Sequence, residues 1–187
     1  MMFNMLKVNK ESGLLESVVY QPSPHCDERP VGMVIDTIVI HGISLPPGEF
    51  GTSAVEAFFA GKLDKNAHPY FSTIDHLRVS SHLFIRRTGE VIQFVPFNKR
   101  AWHAGESFFE GKSHCNDFSI GIELEGTDDV PYEQAQYQQL TRVIAALREA
   151  YENIGRHRIV GHADIAPGRK TDPGPVFDWN YLRRNVV

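Results

Sequence analysis

From His162 to Pro175 the chain reads His-Ala-Asp-Ile-Ala-Pro-Gly-Arg-Lys-Thr-Asp-Pro-Gly-Pro, three Pro and two Gly in fourteen residues. Proline lacks the backbone donor and fixes φ, so this stretch continues neither as a helix nor as a central strand. It follows the short run Arg158-Ile159-Val160-Gly161, which places His162 on a strand tip and the rest in a shaped loop. A loop this stiff gives up little conformational entropy on folding and can hold Lys170 and Asp172 at fixed positions relative to His162.

A third ligand-type side chain is expected at another strand end. Ile38-Val39-Ile40-His41-Gly42 is a β-branched run ending in His, followed by the turn-rich Leu45-Pro46-Pro47-Gly48. His41, His162 and Asp172 together fit a zinc site with three protein ligands and one open position, the arrangement of catalytic rather than structural zinc. The plainer alternative is two hydrogen-bonded histidines and an Asp that forms a turn.

The remaining chain supplies a scaffold for such a site. Its 187 residues suit one domain, 1–187, able to bury a core without staples. A net charge of −4 excludes the basic footprint of a nucleic-acid binder. Cys26 and Cys115 lie far apart and outside any CxxC pattern, so no disulfide framework is expected. No apolar window is long enough to span a bilayer, and residues 1–20 carry charges without a cleavage-site pattern. A cytoplasmic monomer with no membrane partner is the expectation.

In order, residues 1–21 read as an amphipathic lead and Gln21 to Pro30 as an extended, Pro-rich arm. Thr37 to His41 is a strand buried on both faces. Ser53 and Glu56 form a capping box for a helix that buries Val55, Phe58 and Phe59 and stops at Gly61. Tyr70 and Phe71 follow in a loop, as a cleft wall or a satellite of the core. Ser81–Arg87 and Glu90–Pro96 pair as a hairpin around Thr88-Gly89. In Asp117–Gly126, period two puts Ser119, Gly121, Glu123 and Glu125 on one face and Ile120, Ile122 and Leu124 on the other. Glu123 sits among apolar neighbours and needs a partner, whereas Glu125 fits an exposed acidic edge. A helix from Tyr132 to Glu152, with Gly155 as its stop, buries Tyr137, Leu140, Ile144, Leu147 and Tyr151, and a terminal helix spans Asp178–Arg184. The sum is an α/β fold, a central mixed β-sheet flanked by helices on both faces.

The segments IVIHGISLPPGEFG, AWHAG, CNDFSIGIELEGTD and GHADIAPGRKTDPGP resemble the zinc-dependent N-acetylmuramoyl-L-alanine amidases, in particular the cytoplasmic type that acts on 1,6-anhydro-muropeptides. The likeness runs from about Pro22 to Trp179. It implies the amidase and peptidoglycan-recognition-like fold, one Zn²⁺ per chain on His41, His162 and Asp172, and a small muropeptide substrate cut between the lactyl group and L-Ala. It further implies Glu123 as general base and acid and Lys170 as the partner of the developing oxyanion. Trp102, Tyr70 and His103 are expected to line the substrate cleft, with Arg78 pairing a substrate carboxylate. Two positions depart from the family pattern: Gly42 stands where Asn is common and His114 where Arg is common. Both departures would remove polar contacts to the substrate. The rival functions are a non-catalytic peptidoglycan-fragment-binding module, which typically lacks one ligand of the set, an exported amidase acting on intact wall, and a structural protein whose histidines are incidental.

Overall fold

The computed structural model describes residues 6–186. The first five residues of the expected N-terminal lead lie outside the described residues. The apolar runs assemble into one six-stranded mixed sheet. Its strands are β1 (Val19–Tyr20), β2 (Thr37–Ile43), β3 (Leu83–Ile85), β4 (Val91–Gln93), β5 (Ser119–Glu125) and β6 (Ile159–Gly161), in the spatial order β6-β2-β5-β3-β4-β1. β2 runs parallel to both β5 and β6, and only the hairpin β3–β4 is antiparallel. The hairpin is shorter than the sequence suggests. It turns through Arg86–Glu90 with Gly89 at φ 85°, a conformation that costs glycine little.

Helices cover both faces. On one, α3 (Gln134–Ala150) and α5 (Trp179–Asn185) pack Leu140, Ile144, Leu147 and Leu182 onto Ile38, Ile40, Ile120, Ile122, Leu124 and the β3 residues Leu83 and Ile85. On the other, the short helices α1 (Ala54–Phe59) and α2 (Phe71–Ile74) bring Val55, Phe58, Phe59, Phe71 and Ile74 against Phe84 and Ile92. The alternation in β5 falls as expected, its three apolar residues all meeting α3 and α5. The Pro-rich arm is also extended, and Cys26–Glu28 within it pairs antiparallel with Lys99–Ala101.

Several local expectations are corrected. Ser53 makes no side-chain cap to α1. The hydroxyl of Thr52 accepts from the Ala54 N–H instead, and Glu56 is diverted into a buried ion pair with Arg86. Glu125 is buried rather than edge-exposed, because loops fold over the end of β5. One of its carboxylate oxygens accepts the Gly51 N–H at 2.5 Å and the other the Arg87 N–H at 3.0 Å. α3 begins at Gln134 and ends at Ala150, well before the expected stop at Gly155, because Tyr151 at φ −124° already leaves the helix with its ring against Phe97. His162 is the first residue of a one-turn helix α4 (His162–Ile165), so the shaped loop starts only after that turn. Asp164 makes the turn possible by accepting the Gly161 N–H at 2.7 Å. Cys26 and Cys115 are both free thiols. Among the described residues no helix is long and apolar enough to cross a membrane.

Gln136 links α3 to the sheet from a fully buried position. Its amide nitrogen donates to the carbonyls of Ile85 at 3.2 Å and Glu125 at 3.0 Å, and its oxygen accepts the Glu133 N–H at 3.0 Å. Gln136→Leu therefore orphans buried backbone groups and is expected to lower stability by about 2–4 kcal/mol in urea unfolding, at about 1–3 kcal/mol per group left unpaired. Gln138→Leu, on the exposed face of the same helix, is the control and should change stability by less than about 0.5 kcal/mol.

Candidate metal centre and cleft

The parallel register sets the site. Glu123 of β5 lies directly opposite His41 of β2, and Gly161 of β6 lies opposite Ile40, so the chain leaves β6 at His162 level with His41. Successive strand residues alternate faces, and paired residues of neighbouring strands share one. His41 and Glu123 therefore project together, and α4 turns His162 toward them. Asp172 is returned to the same point by the Pro-rich loop, pinned where the Ala163 N–H donates to the Asp172 carbonyl at 3.0 Å.

Three donor atoms converge. His41 Nδ1 lies 2.9 Å from His162 Nδ1 and 3.2 Å from Asp172 Oδ2, and His162 Nδ1 lies 3.1 Å from the same oxygen. The His162 Nε2 donates to the Ala104 carbonyl at 3.1 Å, so in the neutral ring Nδ1 is a bare lone pair. Burial drives the His41 pKa down to about 4, partly offset by Asp172, and leaves that ring neutral near pH 7. Uncharged nitrogens and an anionic oxygen at such spacing repel one another unless a cation lies among them. A tetrahedral ion with ligands at about 2.0–2.1 Å sets its donor atoms about 3.3 Å apart, so the trio has only to open by a few tenths of an ångström to hold one. Two imidazoles with one carboxylate suit zinc.

Glu123 stands beside this trio with one carboxylate oxygen 4.0 Å from His41 Nδ1 and the other buried without a hydrogen-bond partner. Burial pushes its pKa well above the usual carboxylate range, the nearby Asp172 charge adds to the rise, and Lys170 opposes it. An orphaned carboxylate oxygen in a buried position is costly for folding alone. Lys170 is exposed and borders the same cleft. That cleft, about 400 Å³, is walled by Tyr70, Trp102, Leu45, Leu77, Val79 and Thr127. The Trp102 indole N–H is donated to Asp27 at 3.1 Å, which fixes its ring at the rim.

Other expected site residues fall elsewhere or act otherwise. Arg78 is exposed and does not line the cleft, because its guanidinium folds back onto the carbonyls of Asp75 and Leu77. His103 borders the cleft but offers it no polar tip: its Nδ1 faces His41 Nε2 at 2.9 Å and its Nε2 faces the Ser119 hydroxyl at 3.2 Å. His114 is exposed outside the cleft lining, at φ 59°. Gly42 lines the cleft, and its missing side chain has a local use, since a Cβ there would stand 2.3 Å from the Tyr132 hydroxyl. That hydroxyl donates to the Pro173 carbonyl at 2.9 Å, next to Asp172. Tyr132 is thus a supporting residue that the sequence did not reveal. The only trace of it was a pair of glycines, Gly42 and Gly126, whose Cβ atoms would both collide with its ring or hydroxyl.

Known proteins resemble the chain over most of its length. The family model for N-acetylmuramoyl-L-alanine amidase matches residues 31–175. The chain is 56% identical over 173 residues to the 1,6-anhydro-N-acetylmuramyl-L-alanine amidase AmpD of Escherichia coli strain K12, covering 92% of this chain and 94% of that protein. A crystal structure of a selenomethionine AmpD derivative superposes with a TM-score of 0.92 at 54% identity, over 96% of this chain and 99% of that one. The amidase AmiD of E. coli, solved as a complex with the substrate anhydro-N-acetylmuramic acid-L-Ala-D-γ-Glu-L-Lys, superposes with a TM-score of 0.60 at 29% identity, over 99% of this chain and 67% of that one. With its sheet register, its His-His-Asp convergence and a matching family model over most of its length, the chain belongs to the N-acetylmuramoyl-L-alanine amidase family.

Proposed function

We propose that this chain is a zinc-dependent amidase that cuts the bond between 1,6-anhydro-N-acetylmuramic acid and L-Ala of small muropeptides, in cytoplasmic peptidoglycan recycling. The observation that carries the proposal is the meeting of His41, His162 and Asp172 at one point, with Glu123 beside them. The substrate follows the name of the E. coli relative and the ligand bound to AmiD.

His41, His162 and Asp172 would hold the zinc, which supplies a Lewis acid for the amide carbonyl and lowers the pKa of a water toward about 7. The remaining steps belong to side chains of the chain itself. Glu123 takes the proton of the attacking water and delivers it to the departing nitrogen of L-Ala. One of its oxygens lies 4.0 Å from His41 Nδ1 and the other has no hydrogen-bond partner, so the carboxylate is free to take and return a proton. Lys170, at the cleft edge two residues before Asp172, places its ammonium where the carbonyl oxygen gains charge. Tyr70 and Trp102 wall the cleft and hold the substrate against this group.

Prolonged chelation should abolish release of L-Ala-peptide from anhydro-muropeptide, and added Zn²⁺ should restore it; turnover that survives chelation contradicts the proposal. The same preparation should release peptide from intact sacculi far more slowly than from anhydro-muropeptide, as product analysis by mass spectrometry will show. Lys170→Ala should lower kcat by about 10²–10³, the loss typical of one oxyanion donor, with a small change in KM. Equal effects on kcat and KM would assign Lys170 to ground-state binding.

Glu123→Gln separates activity from stability. The unfolded chain releases the Glu123 proton near the ordinary carboxylate pKa of about 4.3, whereas the folded, metal-free chain retains it to higher pH. Stability contributed by this group is therefore present below that value and is lost as pH rises above it. Glu123→Gln removes the loss. In the presence of chelator the variant should melt above the parent at neutral pH, the gap closing toward acid pH, while hydrolysis falls by about 10²–10⁴. A gap independent of pH would show that the carboxylate is not the source.

A further inference from the structure

We infer that the segment Trp102–Ala104, clamped by Asn116, sets the protonated nitrogen of both metal-site imidazoles, with His103 as the positioning residue for His41. The inference rests on the zinc-site assignment above and deepens it.

The direction of each hydrogen bond follows from groups that can act in one way only. A carbonyl only accepts, so the Ser119 hydroxyl, 2.5 Å from the Cys115 carbonyl, spends its proton there. Its oxygen then accepts from His103 Nε2 at 3.2 Å. A neutral His103 protonated on Nε2 has a bare Nδ1, which accepts from His41 Nε2 at 2.9 Å. His41 is left with its Nδ1 lone pair aimed at His162 and Asp172. The adjacent residue performs the same service for His162, since the Ala104 carbonyl accepts from His162 Nε2 at 3.1 Å. Two neighbouring residues of one segment thus fix both rings, one through a side chain and one through its backbone.

The segment is itself held. Asn116 Oδ1 accepts the backbone N–H groups of His103 at 3.1 Å and Ala104 at 2.8 Å. The Ser80 hydroxyl oxygen accepts the Trp102 N–H at 3.1 Å, and the Ser80 N–H donates to the Trp102 carbonyl at 3.1 Å. Space for the His103 ring is cut into the central strand: a Cβ on Gly121 would lie 2.5–2.7 Å from three of its ring atoms. His103, Ser119 and His41 are all buried, so water does not compete for these bonds. Partners of metal-bound histidines that fix the ring in this way are worth about 10–100-fold in metal affinity.

Two readouts test the inference on the full-length chain. Zinc affinity is measured by competition with a chromophoric chelator, and the tautomer of His41 in metal-free protein by long-range ¹H–¹⁵N correlation. The parent should show His41 protonated on Nε2. His103→Leu and Asn116→Leu should weaken zinc binding by about 10–100-fold, and His103→Leu should bring the Nδ1-protonated form of His41 into the spectrum. His103→Gln and Asn116→Asp, which keep an acceptor at the same place, should stay within about threefold of the parent, on the same scale. If His103→Leu fails to fold, Ser119→Ala, which deletes a single oxygen, should still shift the His41 tautomer and weaken zinc. Unchanged affinity and an unchanged tautomer in the variants that fold would overturn the inference. Failure of the parent to bind zinc would instead overturn the metal-site assignment, with the tautomer measurement still deciding the role of His103.

Discussion

Parallel pairing of β2 with β5 is the constraint on which the rest of this structure depends. In that register Glu123 and His41 are neighbours across one rung, and a slip of one strand by a single residue would put them on opposite faces of the sheet. The apolar alternation prevents the slip, because Ile38, Ile40, Ile120, Ile122 and Leu124 are fully or almost fully buried beneath α3 and α5. Burial on one face therefore dictates which side chains meet on the other. β6 extends the same logic to His162, which enters the site at the level the adjacent strand has already set.

The polar face opposite that core is built against the usual preference for apolar interiors. Five histidines, His25, His41, His82, His103 and His162, are buried, together with Glu123 and Ser119. Such groups are tolerable only when neutral and paired, and most of them are: His82 Nδ1 accepts the Gly121 N–H at 3.0 Å and its Nε2 faces the Lys99 carbonyl at 3.0 Å. Burial, assisted by the Arg29 charge, lowers its pKa to about 3. One oxygen of Glu123 has no partner, and the other lies 4.0 Å from His41 Nδ1. Other buried atoms without a partner, Glu56 Oε2 and Ser81 Oγ among them, lie elsewhere, so what sets Glu123 apart is its place beside His41.

Much of this was legible in the sequence, and the limits are instructive. Period-two alternation gave the faces of β5, and β-branched runs ending in His gave the levels of the site, because both signals are local. The long helix and the Pro-rich loop were legible for the same reason. Glu56 and Glu125 misled for a common cause: each follows a local pattern, a capping box in one case and an alternating acidic edge in the other. Distant partners, Arg86 for Glu56 and the Gly51 and Arg87 amides for Glu125, outcompete it. Arg78 was misplaced because nothing local tells an Arg aimed at a cleft from one capping nearby carbonyls.

His103 shows most clearly what sequence alone conceals. A Trp-His pair between small residues is compatible with a polar tip for a sugar or with a plug in the core, and the two differ only in where two ring nitrogens point. That direction is decided by Ser119 and His41, sixteen residues downstream and sixty-two upstream. It also gives the small residues around it a physical reason. Gly121 leaves room for the ring, and Ala104 brings a carbonyl within reach of His162. A Cβ at Gly121 would leave His41, His162 and Asp172 unchanged in the sequence yet collide with the His103 ring, whose Nδ1 faces His41 Nε2. The ligand set alone therefore underdetermines the site, and the hydrogen-bond directions behind it complete the specification.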